Sequence, residues 1–202
     1  MKKFLIGIAA LSALIFISCD SKSKLANNLD GSWSGSPERL GDDSNGLMTM
    51  VETYNFIKDD DKAGGTLIIQ AMISVTGTAQ PNGEVVQPYA ISESAVAFAE
   101  GTWMATDDDE LNVTIDPQTI TVSVDPSAVT FNDDVFTDEQ VPMVDSIKPE
   151  IAKAVEQQIT KEVTERFTNL SHIDDIKVRG NLLKYEIGRK RYTMSKEGVA
   201  RK

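Results

Sequence analysis

TLIIQAMISV, the stretch from Thr66 to Val75, decides the fold of this chain. Alternate positions carry Leu67, Ile69, Ala71, Ile73 and Val75 on one face and Thr66, Gln70 and Ser74 on the other. Successive side chains of a β-strand point to opposite faces, so this period of two predicts a strand with one face in a core and one in water.

The same alternation recurs in three shorter segments, at 111–115, 120–124 and 183–187. Asp116-Pro117 separates the first two segments and suits the opening positions of a type I turn. Glycine-containing breaks separate the other strand candidates, at 62–65, 81–83, 180–181 and 188–190. About nine short strands with tight turns predict a mainly β domain, an antiparallel meander that closes into a barrel or half-barrel.

One segment, from Pro149 to Leu170, has a helical period instead. Its apolar residues are Ile151, Val155, Ile159, Val163, Phe167 and Leu170. Steps of four and three define one stripe of an amphipathic helix inserted before the last strands. Pro149 suits the first helical turn, where its missing N–H costs no hydrogen bond, and residues 141–147 continue the stripe backwards. We expect this helix to pack on the sheet or across a barrel mouth, the alternative being a lid or partner-binding helix.

The amino terminus predicts export and lipid attachment. Lys2 and Lys3 precede an apolar run over residues 4–17, which is too short to span a bilayer comfortably. The residues 16–19, ending in Ser18-Cys19, resemble the lipobox of bacterial lipoproteins. The resemblance implies a signal peptide over 1–18, a lipidated Cys19 with a tether over 19–29, and a domain over 30–202. Because Cys19 is the only cysteine, no disulfide can form within the chain.

Charge limits the partners that we expect. The chain has 31 Asp and Glu against 20 Lys and Arg, a net charge of −11, which disfavours nucleic acid. Residues 42–150 are strongly acidic and residues 177–202 are basic. Either the C-terminal strands face acidic strands, which we favour, or they form a basic docking face. We expect a Gram-negative cell envelope location, lipid-anchored and periplasmic or surface-facing, with the outer membrane favoured.

Two tryptophans occur in a repeated motif, Gly31-Ser32-Trp33 and Gly101-Thr102-Trp103. Gly-x-Trp in an opening strand resembles lipocalins and the shorter bacterial lipocalin-like lipoproteins, over residues 29–195. This resemblance implies a small-molecule-binding calycin fold but transfers no ligand, since one fold hosts many functions. From the residues themselves we expect Trp33 and Trp103 to be structural core side chains.

The sequence leaves two principal hypotheses for function. The first is a non-enzymatic carrier of a small apolar ligand. Its binding cavity, inside the barrel, would be lined by Ile69, Ile73, Phe98, Val113 and Val122. The second is an envelope interaction or assembly protein with a solid barrel and no ligand cavity. A carrier needs an apolar cavity of about 300 Å³ or more, whereas an interaction protein needs an exposed apolar patch.

Catalysis and cofactor binding have little support in the sequence. The only histidine, His172, lies in a polar stretch after the predicted helix, and no cluster has the spacing of a zinc site. We therefore expect no catalytic residues, no cofactor and no metal. Two acidic runs, Asp59 to Asp61 and Asp107 to Asp109, fit solvated hairpin turns better than a calcium loop. A carboxylate-based envelope hydrolase is a third, weaker alternative.

Overall fold

The computed structural model describes residues 21–40, 46–79, 89–131 and 141–198. Helix α1 covers residues 21–29, and helix α2 is Val141–Thr168. The strands are β1 Gly31–Gly35, β2 Glu38–Arg39, β3 Gly46–Lys58, β4 Gly64–Ala79, β5 Tyr89–Ala105, β6 Leu111–Ile115, β7 Thr121–Val124, β8 Thr130–Phe131, β9 His172–Arg179, β10 Leu182–Ile187 and β11 Lys190–Lys196. The predicted signal peptide and Cys19 lie outside the described residues.

Eight antiparallel strands close into a barrel. Their order is β1-β11-β10-β9-β6-β5-β4-β3, and β3 pairs with β1 to complete the ring. The mainly β fold with one helix before the last three strands is therefore confirmed, and the barrel is closed. The described residues form eleven strands rather than about nine, because β2, β7 and β8 are short strands added at the side of the ring.

The strands β3, β4 and β5 are much longer than the other strands of the ring. β5 pairs with β6 near its end, then with β7 over residues 95–98 and with β8 over residues 91–92. The long hairpins thus extend past the barrel as a sheet, and the inward face of the barrel continues along them. Ala95, Ala97 and Ala99 lie buried on that face of β5.

Helix α2 covers the inward face of this extended sheet. It packs against β5, β6 and β7, and its side chains Ile159, Val163 and Phe167 are fully buried in the shared core. The three alanines of β5 carry small side chains, which let the helix backbone approach the sheet closely. The predicted stripe is confirmed from Ile159 onwards, since Ile151 and Val155 are only partly buried.

The predicted bounds of this helix, about 149–170, are wrong at the start. α2 spans Val141–Thr168, so Pro149 lies inside it rather than in its first turn. Pro149 is exposed, and its ring therefore disturbs no packed neighbour on the buried side. A proline inside a helix removes one backbone hydrogen bond, and the buried stripe that follows offsets that loss.

The segment that we expected to be a tether is helical and packed over residues 21–29. Its Ser-, Lys- and Asn-rich composition hides an apolar stripe, and Leu25, Ala26 and Leu29 are buried. The carbonyl of Leu29 accepts a hydrogen bond from Nε1 of Trp33 at 2.7 Å, and Leu29 lies against the barrel interior next to Leu183. These residues are therefore part of the domain, not a flexible linker.

Both glycines of the Gly-x-Trp motifs have a steric role. Gly31 has φ +115°, a backbone conformation that residues with a Cβ rarely adopt. A Cβ on Gly101 would lie 2.2 Å from the carbonyl oxygen of Thr114, so only glycine permits this approach of β5 to β6. Trp33 and Trp103, which follow, are buried in the core, as a structural role requires.

Candidate functional site

Aromatic side chains fill the interior of the barrel. Phe56 packs edge-on against Trp103 with ring centroids 5.4 Å apart, and Tyr54 contacts both Phe56 and Tyr185. The indole N–H of Trp103 donates to the carbonyl oxygen of Thr66 at 3.1 Å, so its polar atom is satisfied. The apolar cavity beside these rings measures about 10 Å³. That volume is about the minimum for one water and far below what a ligand needs.

None of the residues predicted to line a ligand cavity borders a pocket in the part of the chain that the structure describes. Ile69, Ile73 and Val113 point inward and are buried by neighbouring side chains. Val122 is partly buried against the same core, opposite Ala97 in the β5–β7 register.

Phe98 was wrongly predicted to face the interior. It lies between Ala97 and Ala99, which are fully buried, and is itself only partly buried on the outer face of β5. Its register partners, Gln70 and Thr121, are exposed on that outer face. The inward positions carry alanine because α2 needs the space, and the larger phenylalanine therefore falls outside.

A cluster of charged side chains closes the end of the barrel beside the C-terminal end of α2, which we call the barrel mouth. Its members are Glu38, Glu52, Arg166 and Lys190. Arg166 binds Glu52 with two hydrogen bonds, Nε to Oε1 at 2.8 Å and Nη2 to Oε2 at 2.5 Å. Glu38 of β2 lies 3.5 Å from Arg166 and 2.7 Å from Nζ of Lys190. The side chain of Glu52 is 6% exposed and that of Arg166 is 22% exposed, so the pair is largely shielded from water. The cluster therefore ties α2 to strands from both ends of the sequence.

Burial and neighbouring charges keep Tyr54 neutral and Arg166 positively charged in this cluster. Burial, reinforced by the negative charge of Glu52, raises the pKa of Tyr54 well above its ordinary value. Tyr54 is thus a neutral phenol that donates to Glu52 Oε2 at 3.4 Å. Burial acts to lower the pKa of Arg166, but the hydrogen bonds and charge of Glu52 outweigh it and raise that pKa. A cation paired with a carboxylate is the form that this geometry stabilises.

A pocket of about 310 Å³ opens beside the cluster. α2 contributes Glu162, Glu165 and Arg166 to its wall, Asn169 follows the end of α2, and the strands contribute Tyr54 and Tyr192. Arg166 also stacks over the ring of Tyr192, with its guanidinium carbon 5.6 Å from the ring centroid. The pocket is therefore large enough for a small molecule, and its wall mixes charged side chains with apolar ones such as Leu40, Leu170 and Ile187.

The sequence analysis did not single out these mouth residues. Glu52 nevertheless occupies an inward position of β3, between Met50 and Tyr54, where a charged side chain requires a buried partner. That local signal marks Glu52. The sequence gives no way to choose Arg166 as the partner, because it lies 114 residues away.

The basic C-terminal strands are paired with acids mainly among themselves. Arg191 pairs with Glu186, and Lys177 pairs with Asp175, all within β9 to β11. Lys190 alone of these cations reaches a more distant acid, Glu38 of β2. Glu38 lies outside the acidic stretch 42–150, so none of these three described pairs joins the basic strands to that stretch, and neighbouring residues neutralise the other two cations.

The outer face of β3, β4 and β5 is nearly uncharged and partly apolar. Among its described outward-facing residues Glu100 is the only ionisable side chain, although 25% of the chain is charged. Five of the six exposed large hydrophobic side chains of the described residues lie here: Leu47, Ile57, Met72, Val96 and Met104. Met72 and Val96 are cross-strand neighbours and are 67% and 56% exposed. We call this surface the uncharged face.

Catalytic and metal-binding features are sparse in the described parts of the chain. His172 is exposed at the start of β9, and its Nδ1 lies 3.0 Å from Oδ1 of Asn112. The residues 59–61 and 107–109 form exposed or partly exposed turns between strands. Across residues 21–40, 46–79, 89–131 and 141–198, no three acidic, histidine or cysteine side chains converge as metal ligands. No helix in those ranges is both long and apolar enough to cross a membrane.

Comparison with protein-family models and with curated proteins gives no match for this chain. The resemblance to lipocalin-like lipoproteins therefore stays a prediction from the Gly-x-Trp motifs, beside a barrel that the structure confirms.

Proposed function

We propose that the protein is a lipid-anchored, non-enzymatic envelope protein that works through its outer surface, with the solid barrel as a rigid frame. The observation that carries this proposal is the filled interior, where the cavity beside Tyr54 and Phe56 measures about 10 Å³. A carrier of an apolar ligand needs a cavity some thirty times larger, of about 300 Å³. The geometry therefore favours the interaction hypothesis over the carrier hypothesis.

The exposed apolar side chains indicate where on the outer surface a partner would bind. Exposed apolar groups on a soluble domain are usually scattered, whereas contiguous patches mark interaction sites. Here they are concentrated on the uncharged face, where Met72 and Val96 lie side by side. That surface, rather than the barrel interior, is where we place the function.

The position of α1 bears on the anchor. α1 is packed into the domain from residue 21, only two residues after Cys19. A lipid on Cys19 would thus hold the domain close to the membrane surface through the N-terminal end of α1. Two acyl chains are enough for stable attachment, since each buried CH₂ contributes about 0.8 kcal/mol.

Two measurements test the proposal. Mass spectrometry of the N-terminal peptide should show Cys19 modified by acyl chains, and Cys19→Ser should abolish that modification. Titration of the purified protein with a hydrophobic fluorophore should give no saturable signal coupled to Trp103 emission. Saturable binding of one fluorophore per chain inside the barrel, or an unmodified Cys19 in the mature protein, would contradict the proposal.

Binding of a small polar molecule in the mouth pocket is a second candidate function. Its volume of about 310 Å³ meets the lower limit for ligand sites, and Tyr54 and Tyr192 offer hydroxyl groups beside the Arg166 cation. A panel of small carboxylates and sugars should then raise the melting temperature of the wild-type protein. The same compounds should not stabilise Tyr192→Leu, which removes one wall of the pocket, and an equal shift in both proteins would exclude the site.

A further inference from the structure

The uncharged face is unusual for a protein with this charge. The chain carries a net charge of −11, yet β3, β4 and β5 present outward a band of Thr, Ser, Gln, Met, Val and Phe side chains. One cross-strand row contains Val51, Met72 and Val96, and the adjacent row contains Phe98. Leaving Met72 and Val96 exposed forgoes the stabilisation that burial of apolar side chains gives. A contiguous exposed apolar surface of this kind marks a site where a partner binds and buries it.

We propose that this partner is a second copy of the chain, bound with the two uncharged faces packed sheet on sheet in a two-fold symmetric dimer. This inference rests on the proposed function, because it names the partner of the outer surface. Two copies that each carry −11 repel one another where their acidic surfaces meet. On the uncharged face they meet with few opposing charges, since Glu100 is its only described ionisable side chain, in a row without Met72 or Val96, and Glu197 reaches only Thr53 at its edge.

The size of the face suits a dimer of modest affinity. Its three strands are about 4.8 Å apart, and β3 spans roughly 30 Å between Leu47 and Ile57, so the flat area is about 450 Å². Two such faces together bury about 1,000 Å² once side-chain relief is included, which is the lower limit for a specific interface. We therefore expect dissociation in the micromolar range in solution.

The symmetry agrees with attachment to one membrane. Two facing sheets prefer strand directions within about 30° of each other. With the two-fold axis along the strands, both copies of α1 lie at the same end of the dimer, so both anchors on Cys19 reach one leaflet. Attachment to a shared surface raises the effective concentration of the second copy and offsets the modest affinity.

The test measures the association of the full-length, detergent-solubilised protein by sedimentation velocity, from about 1 to 200 μM. Wild type should change from monomer to dimer over this range. Met72→Lys places two like charges near the centre of the interface and should weaken dimerisation by at least about tenfold. Thr193→Lys, on the exposed face of β11, is the matched control and should dimerise like wild type. Both side chains are exposed, so both variants should keep the wild-type circular dichroism spectrum.

Cross-linking in the membrane separates this inference from the proposed function. Met72→Cys treated with a bis-maleimide should give a homodimer, while wild type and Thr193→Cys should give none. A wild-type protein that stays monomeric at 200 μM, or a Met72→Lys variant that dimerises unchanged, would overturn the dimer. Cross-linking of Met72→Cys to a different protein alone would overturn the second copy but keep the surface function. No cross-link to any protein, together with a monomer in solution, would overturn both.

Discussion

Replacing Arg166 with Met removes the cation that closes the barrel mouth while keeping most of the side-chain volume. Glu52 then loses two hydrogen bonds, of 2.8 and 2.5 Å, and keeps only the hydroxyl of Tyr54 at 3.4 Å. Breaking a buried ion pair by removing one partner costs about 3–5 kcal/mol. Because the Arg166 side chain is 22% exposed, water can reach part of the site, and we expect about 3 kcal/mol.

Urea unfolding followed by tryptophan emission measures this loss, since both tryptophans are buried in the core. The double variant Arg166→Met with Glu52→Gln should recover about 2 kcal/mol of the loss, because no buried charge is then left unpaired. Arg191→Met is the control: Arg191 pairs with Glu186 but is 83% exposed, so its loss should destabilise the protein much less than the loss of Arg166.

The comparison uses wild type, the single variants Arg166→Met, Glu52→Gln and Arg191→Met, and the double variant, because the coupling energy needs both single substitutions of the pair. Coupling between the substitutions at Arg166 and Glu52 below about 0.5 kcal/mol would show that the pair acts as two independent surface charges. A loss for Arg166→Met no larger than that for Arg191→Met would have the same meaning. Either result would refute the argument that α2 is held to the barrel mouth by a buried ion pair.

Four further changes test separate parts of the fold. Burial raises the pKa of the Glu93 carboxyl from 4.5 to about 6. The stability that its protonated form contributes is therefore fully present below pH 4.5 and is lost as pH rises through 6. The free energy of unfolding of Glu93→Gln should therefore exceed that of wild type by up to about 2 kcal/mol at pH 7.5 and equal it at pH 4. Thermal melts that show the same gain at both pH values would exclude this cause. Ala97→Leu should cost about 1–3 kcal/mol in urea by overpacking α2 against β5, whereas an unchanged midpoint would mean that the helix is not closely packed. Gly101→Ala should lower the melting temperature sharply because its Cβ would meet the Thr114 carbonyl, and tolerance of alanine would contradict that contact. Leu29→Ala should cost about 2–4 kcal/mol and remove hydrogen-exchange protection from residues 21–29, and unchanged protection would show that α1 does not depend on the core.

The strands were predictable because alternation is a local property of the sequence. In β6, buried Leu111, Val113 and Ile115 alternate with exposed residues, as the sequence indicates. The stripe of α2 from Ile159 to Phe167 was predictable for the same reason, through its period of four. Closure of the barrel depends on the pairing of β1 with β3 and β11, and the sequence left both a closed and a half-open barrel possible.

The errors came from packing between distant segments. Phe98 was predicted to line the interior, but the inward positions beside it are alanines, and Phe98 lies on the outer face. Residues 21–29 were assigned to a tether on composition, although their apolar positions match the core against Trp33. The ion pair of Glu52 with Arg166 joins β3 to α2, and no pattern within either segment specifies that partner.

Native mass spectrometry of the full-length protein, taken gently from detergent, tests the central claim most directly, because it shows whether the barrel carries anything. The solid barrel predicts monomers and dimers whose mass equals the mature polypeptide with its acyl anchor and no further non-covalent small molecule. A stoichiometric apolar molecule on each chain, retained by wild type and lost when Val113 in the core is replaced with Trp, would contradict the account and restore the ligand carrier.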